Sequence, residues 1–212
     1  KIKVYGLAAF NKYLVKNDKA KTRKHFELPD RKTVILSGGS LGAEKIKNVF
    51  EQLVKTYKDI NIVAIAGRNE RLRMKFRKIK QKYNAENAYI FGFTTEMDKL
   101  LDIADALICK PGAMSVNEAF LKGVPVISVY PMPCVESENA AYLKKKNLAL
   151  CADNPLDAAR QLDVILNDEK KREELISNIT SHAQKNAAKN IADYIYSLTE
   201  KPQEAEKAEK ID

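Results

Sequence analysis

The sequence predicts an α/β fold built on a doubly wound parallel sheet, and three observations carry that prediction. From Thr33 onward, short β-branched runs alternate six times with longer amphipathic ones. The first run, TVILS at 33–37, opens directly into a glycine turn, GGSLG at 38–42. The longest apolar runs, such as 62–66 and 124–130, have the length of buried strands and fall far short of the ~20 residues that span a bilayer. Strand and helix repeated in this way argue for parallel strands covered by helices on both faces. The architecture expected is Rossmann-like, a single domain over residues 33–200.

Each element follows from its own pattern. After the 33–37 strand, residues 43–57 place Ile46, Val49, Phe50, Leu53, Val54 and Tyr57 on the stripe of a helix that packs on a sheet. NIVAIA (61–66) is the second strand, closed by Gly67. Leu72, Phe76, Ile79 and Tyr83 line one face of the basic helix that follows. AYIF (88–91), ALIC (106–109), PVISV (125–129) and LALC (148–151) supply four more strands. Helical patterns fall at 95–104, 114–122, 137–146, 155–167, 169–185 and 188–199. Asn154 before Pro155 is an N-cap with proline at the first helical position. Ligands in such sheets bind beyond the carboxyl ends of the strands, which selects the loops 38–42, 67–69, 92–95, 110–115 and 131–138.

The two ends differ from the body. Residues 1–32 show no clean period and are expected to be a linker joining this domain to another. The chain opens at Lys1 rather than methionine, which fits a piece of a longer protein. The tail 201–212, KPQEAEKAEKID, lacks apolar periodicity and is expected to be disordered.

The formal net charge of +9 is concentrated locally. Residues 1–32 hold ten Lys/Arg against three acids, and 71–82 hold seven basic residues and no acid. A solvated face is the ordinary fate of such a run. A surface facing an anionic membrane is the sharper reading. No motif of nucleic-acid binding accompanies the charge. Cys109, Cys134 and Cys151 lack CxxC spacing and a histidine pair, which argues against zinc or a disulfide framework and for reduced thiols in the cytoplasm.

Three loops carry chemistry. Gly38, Gly39, Ser40, Leu41 and Gly42 join strand to helix, where glycines allow a phosphate close to the backbone and the helix end offers free N–H groups. The turn is neither a Walker A loop nor a full GxGxxG, and a tight packing turn is the alternative. Lys110-Pro111-Gly112 followed by Ala113, Met114 and Ser115 makes a second anion-suited corner. Glu118, expected in the first helical turn, has a carboxylate able to accept two bonds from a ribose diol. Ser115 and Glu118 also fit a capping box. In 131–139, PMPCVESEN, Glu136 and Asn139 are side chains of the kind that bind sugar hydroxyls, although acids also favour helix starts. His25 and His182 fall at no strand end and are poor general-base candidates.

Taken in order, these loops resemble the C-terminal domain of family 28 glycosyltransferases of the GT-B fold, over residues 4–199. The sequence VYGL at 4–7 is similar to the end of that family's interdomain linker, and 38–43 to its glycine-rich diphosphate loop. FGFTTEM at 91–97 looks like the loop whose backbone recognises uracil, which brings in Phe93 and Thr94. The run 110–118 is the strongest match and implies that Glu118 holds the ribose hydroxyls. Its Lys110-Pro111-Gly112 is nearer to the diacylglycerol glycosyltransferases than to the lipid II enzyme. Residues 133–139 resemble the family's Pro-Gly-Gln-Glu-x-x-Asn loop around the donor sugar. Cys134 and Val135 stand where the family has Gly-Gln, which leaves Glu136 and Asn139 as sugar contacts.

The resemblance implies the donor-binding half of an enzyme that moves glucose or galactose from a UDP-sugar to a diacylglycerol-type lipid. It implies no cofactor and no metal. The acceptor site and the catalytic base are expected in a separate N-terminal GT-B domain, and the whole enzyme on the cytoplasmic face of an anionic membrane. Three rivals remain at this stage. One is a donor-binding subunit or domain of a UDP-N-acetylglucosamine transferase acting on a polyprenyl-linked acceptor; the second is a UDP-sugar epimerase, and the third a non-catalytic nucleotide-sugar sensor.

Overall fold

The computed structural model describes residues 2–39 and 43–199. Ser40, Leu41 and Gly42 of the glycine turn, and the 201–212 tail, lie outside the described residues. Among the described residues, six parallel strands form one sheet in the order β3-β2-β1-β4-β5-β6. They are β1 Thr33–Ser37, β2 Asn61–Ile65, β3 Ala88–Phe91, β4 Ala106–Cys109, β5 Val126–Val129 and β6 Leu150–Ala152. The helices between and after them are α1 Lys19–His25, α2 Ile46–Thr56, α3 Glu70–Lys82, α4 Met97–Asp102 and α5 Ala113–Lys122. The series continues with α6 Val135–Lys145, α7 Pro155–Asn167, α8 Glu169–His182 and α9 Ala187–Thr199.

Strand alternation divides the core into two layers. Val34, Leu36, Ile62, Ala64, Ala106 and Ile108 point to the layer covered by α2, α3 and α7. Ile35, Val63, Leu107 and Cys109 point to the other, with Leu100 and Leu101 of α4 and Ala119 and Phe120 of α5. In the first layer Phe50 and Phe76 are fully buried, with ring centroids 4.8 Å apart. Burying aromatics of this size stabilises by about 2–3 kcal/mol each.

Side chains define the helix starts. Asp18, Asn69, Asn154 and Asp168 each accept from the backbone N–H three residues on, at 2.8–2.9 Å. Four helices end the same way, with a left-handed residue at Glu27, Asn84, Gly123 or Asn147. The following N–H reaches back five residues in each case, as in Leu148 N–H to the Leu143 carbonyl at 2.9 Å. That last turn uses Leu148 and Ala149 to leave α6, so the final strand begins at Leu150 and not at 148. Other bounds shift by a few residues: α4 is shorter than 95–104, α6 starts two residues before 137, and α8 stops at His182.

The basic helix α3 uses its apolar stripe for the core, where Leu72 and Phe76 are fully buried. Two of its lysines are matched by acids of the preceding segment: Lys75 with Glu44 at 2.8 Å and Lys82 with Glu51 at 3.2 Å. The Tyr83 hydroxyl donates to Glu51 at 2.6 Å and, with Lys82, brings that carboxyl down to about 2. Met74 is the apolar side chain of α3 that stays exposed. Among the described residues no helix is long and apolar enough to cross a membrane.

Residues 2–32 lie against the domain. A 3-10 turn, Asn11–Tyr13, buries Tyr13, and Leu28 joins the same core layer. This packing and the helix α1 give order to a stretch in which the sequence shows no clean period.

Candidate functional site

The strand order reverses between β1 and β4, which are neighbours in the sheet but far apart in the chain. At such a point the two following loops diverge to opposite faces and leave a crevice beyond the strand ends. Gly38, Gly39, Lys110, Gly112, Ser115 and Glu136 line a cleft of about 220 Å³ there, with Cys109 beneath. Six residues proposed from three separate stretches of sequence thus meet in one place. Gly39 has φ 79°, and a Cβ built on it would touch nothing, so the backbone conformation and not crowding calls for glycine. Burial pushes the Cys109 thiol up to about 12, which keeps it neutral in the cleft wall.

The second and third loops are tied together. Lys110 Nζ lies 2.9 Å from Glu136 Oε1, and Glu136 Oε2 accepts the Met132 N–H at 2.8 Å. Asn139 Nδ2 donates to the Pro111 carbonyl at 3.0 Å. Burial raises the Glu136 carboxyl, but the Met132 N–H and the Lys110 ammonium outweigh it, and the net shift is downward. Lys110 is therefore already paired with a carboxylate, which reduces the charge it offers to an anion.

Cys134 precedes α6 with φ 73° and ψ −111°, a conformation that favours glycine. This is the position at which the family resemblance places glycine. Holding a Cβ residue there costs about 1–3 kcal/mol, and glycine returns part of that as unfolded-chain entropy. Cys134→Gly is expected to stabilise the domain by about 1 kcal/mol, read as a higher urea midpoint at unchanged slope. An unchanged or lower midpoint would show that the loop is unstrained.

Helix α5 begins at Ala113 with Gly112 as its cap residue, and no side chain caps it. Ser115 is therefore the third helical residue and Glu118 the sixth, so the capping-box reading and the first-turn placement of Glu118 are both corrected. The N–H groups of Ala113, Met114 and Ser115 have no partner within the helix, and of these residues Ser115 lines the cleft. Ser115 and Glu118, three apart, share a face. Glu118 is half buried, with Tyr13, Lys12 and Asp98 nearby. Burial is the main cause of its raised pKa, opposed by Tyr13 and Lys12 and assisted by Asp98.

The 92–95 loop lies beyond β3. Phe93 is 53% exposed, with the Arg68 guanidinium 4.8 Å from its ring centroid. Thr94 Oγ1 accepts the Glu96 N–H at 3.0 Å, leading into α4. Met114 is exposed. Ala113 and Asn139 face a neighbouring cavity of about 200 Å³ instead, with Leu7, Phe120, Tyr142 and His182 among its walls. Lys12, Tyr13 and Arg68 were missed in the sequence. Arg68 sits in a loop the strand-end rule selects, whereas nothing local marks Lys12 or Tyr13.

Comparison with known proteins bears on the fold and the family. The glycosyltransferase family 28 C-terminal domain matches residues 33–200. A processive diacylglycerol beta-glucosyltransferase of Bacillus licheniformis is 31% identical over 182 residues, covering 85% of this chain and 47% of that protein. One from Staphylococcus aureus strain MRSA252 is 27% identical over 181 residues, covering 83% and 46%. The chain thus spans about half the length of the curated relatives it matches. Among solved structures, MurG of Acinetobacter baumannii superposes with a TM-score of 0.65 at 24% identity, over 87% of this chain and 55% of that one. HepE of Anabaena, solved with UDP and glucose, superposes with a TM-score of 0.70 at 16% identity, over 89% and 55%. The described sheet and the match over residues 33–200 together make this chain a member of the glycosyltransferase family 28 C-terminal domain family.

Proposed function

We propose that the chain is the donor-binding half of a hexosyltransferase. It holds the uridine diphosphate of a UDP-sugar at the β1–β4 switch point while glucose or galactose passes to a diacylglycerol-type lipid. The observation that carries this reading is the convergence of the β1 glycine turn and the free N-terminus of α5 on one cleft. The diphosphate gains charge as it leaves, and fixed N–H dipoles aimed at it favour the transition state over the ground state. With Lys110 paired to Glu136, those dipoles are the principal source of stabilisation. Glu118 accepts from the ribose hydroxyls, the 92–95 loop meets the uracil, and Glu136 borders the sugar, while Asn139 braces the loop through the Pro111 carbonyl. The relatives named as diacylglycerol glucosyltransferases and the HepE structure with UDP and glucose support the choice of donor and acceptor class.

The acceptor lipid, the anionic membrane surface and the catalytic base belong, in this reading, to the enzyme completed by an N-terminal GT-B domain. The purified chain is therefore expected to transfer no sugar from UDP-glucose or UDP-galactose to diacylglycerol in anionic vesicles. Joined to an N-terminal GT-B half it is expected to turn over, with activity falling as salt screens the attraction to the vesicles. Substantial turnover by the chain alone, free of contaminating transferase, would overturn this division of labour.

A further inference from the structure

We propose that Glu136 is a specificity-determining residue that sorts diphosphates by charge, favouring the sugar-capped donor over the free UDP left after transfer. The inference rests on the reading of the β1–β4 cleft as a UDP-sugar site, and adds to it a means of releasing the product.

The observation behind it is a carboxylate fixed in a cleft whose backbone suits an anion. Of the residues lining that cleft, Lys110 is the cation and Glu136 the anion; the others are glycines, Ser115 and Cys109. The two charged side chains are 20% and 18% exposed, so solvent screens them only in part. Glu136 is held at both oxygens: Lys110 Nζ lies 2.9 Å from Oε1, and Oε2 accepts the Met132 N–H at 2.8 Å. The Met132 carbonyl in turn accepts the Ser137 N–H and the Ser137 hydroxyl, each at 3.1 Å. These bonds close the 132–137 turn around the carboxylate and keep it at the cleft wall.

In transfer, the bond from the sugar carbon to the β-phosphate oxygen breaks, and that oxygen keeps the electron pair. The sugar carbon bonds to the acceptor oxygen, whose proton passes to the base expected in the N-terminal domain. UDP is thus left with one more negative charge than the donor carried, and holds it above a pKa of about 6. The new charge falls on the oxygen that bore the sugar, the end of the ligand that Glu136 borders. Like charges held close in a partly dry site repel strongly. Free UDP meets the whole of that repulsion, whereas the transition state, with its charge part-formed, meets only part. Lys110, tied to Glu136, offsets the carboxylate enough for the less charged donor to enter.

The charged and titratable groups facing Glu136 are Lys110 and Cys109, both at the end of β4. Burial keeps the Cys109 thiol neutral. Burial also raises the Glu136 carboxyl, but the Met132 N–H and Lys110 lower it by more, so Glu136 is ionised from about pH 5.5 to 8. Of these groups and the ligand, the terminal phosphate of UDP is the one that titrates in that range.

The test is calorimetric titration of the chain with UDP, UDP-glucose and the β-methyl ester of UDP. The ester has the donor's charge and none of the sugar hydroxyls. Parent, Glu136→Gln, Lys110→Met and the double variant Lys110→Met/Glu136→Gln are compared at one ionic strength. Glu136→Gln is expected to tighten UDP by about tenfold at pH 8, and the ester by about threefold or less. The gain for UDP should shrink at about pH 5.5, where the terminal phosphate takes up its proton. In the Lys110→Met background the same change should again tighten UDP, so a fault in one variant's fold does not decide the matter. Melting temperatures taken without ligand separate a damaged loop from an altered charge. UDP bound no more tightly after loss of the carboxylate in either background, with UDP-glucose alone weakened, would overturn charge sorting and leave Glu136 a plain sugar contact. Equal shifts for UDP and the ester would overturn it as well. Absence of UDP binding by the parent would instead overturn the reading of the cleft beneath it.

Discussion

Lys122→Met is expected to destabilise the chain by about 3–5 kcal/mol, the largest single-residue effect anticipated outside the aromatic core. Lys122 and Asp102 form an ion pair at 2.7 Å with side-chain exposures of 1% and 6%. Asp102 Oδ2 also accepts the Asn17 backbone N–H at 2.9 Å and its side-chain amide at 2.6 Å. Lys122 in turn donates to the Val15 carbonyl. Methionine matches the lysine stem in volume but leaves a buried carboxylate with neutral donors only. Loss should appear in urea unfolding as a lower midpoint at constant slope, and as a fall in melting temperature on the order of 10 °C. The double variant Asp102→Asn/Lys122→Met should recover part of the loss, because the orphaned charge is gone while a side-chain acceptor for Asn17 remains. A cost below about 1 kcal/mol for the single change would place the pair in the class of solvated surface bridges. The N-terminal segment would then be held by other contacts.

Glu118→Ala is expected to weaken UDP by about 1.5–3 kcal/mol, or roughly ten- to 150-fold, through loss of hydrogen bonds to a charged acceptor. Since Glu118 does not cap α5, helix stability is not the route. Folding stability is followed separately, so that a loss of binding is told apart from a loss of fold. The two effects separate cleanly when unfolding is followed without ligand and binding is followed well below the melting temperature. UDP affinity equal to that of the parent would remove Glu118 from the site.

Most of the scaffold was legible because its signals are local. The stripe through Val49, Phe50 and Leu53, the Asn154-Pro155 start and the β-branched strands each act within a few residues. Where a bound moved, a short-range backbone device was responsible: the left-handed Asn147 ends α6 and delays the last strand to Leu150. The cleft was also legible, since the carboxyl ends of parallel strands are the only places such a sheet opens. What was not legible depends on contacts between distant positions. The Lys110–Glu136 pair spans 26 residues and changes what Lys110 offers an anion. The capping-box pattern at Ser115 and Glu118 was a false signal, because the helix is capped at Gly112, three residues before Ser115. Residues 1–32 gave no period because their order is imposed from outside, by Lys122, Asp102 and Asn117. Of the glycine turn itself, Gly38 and Gly39 stand in the cleft as expected, and Ser40, Leu41 and Gly42 lie outside the described residues.

The central claim is that the β1–β4 crevice recognises a uridine diphosphate. Calorimetric titration of the chain with UDP, CDP and GDP at one ionic strength tests it most directly. The account predicts saturable one-to-one binding of UDP, with CDP weaker because the 92–95 loop meets a different base edge. GDP should not be detectable, and UDP-glucose or UDP-galactose should compete for the same site. Absence of UDP binding, or GDP binding as tightly as UDP, would contradict it.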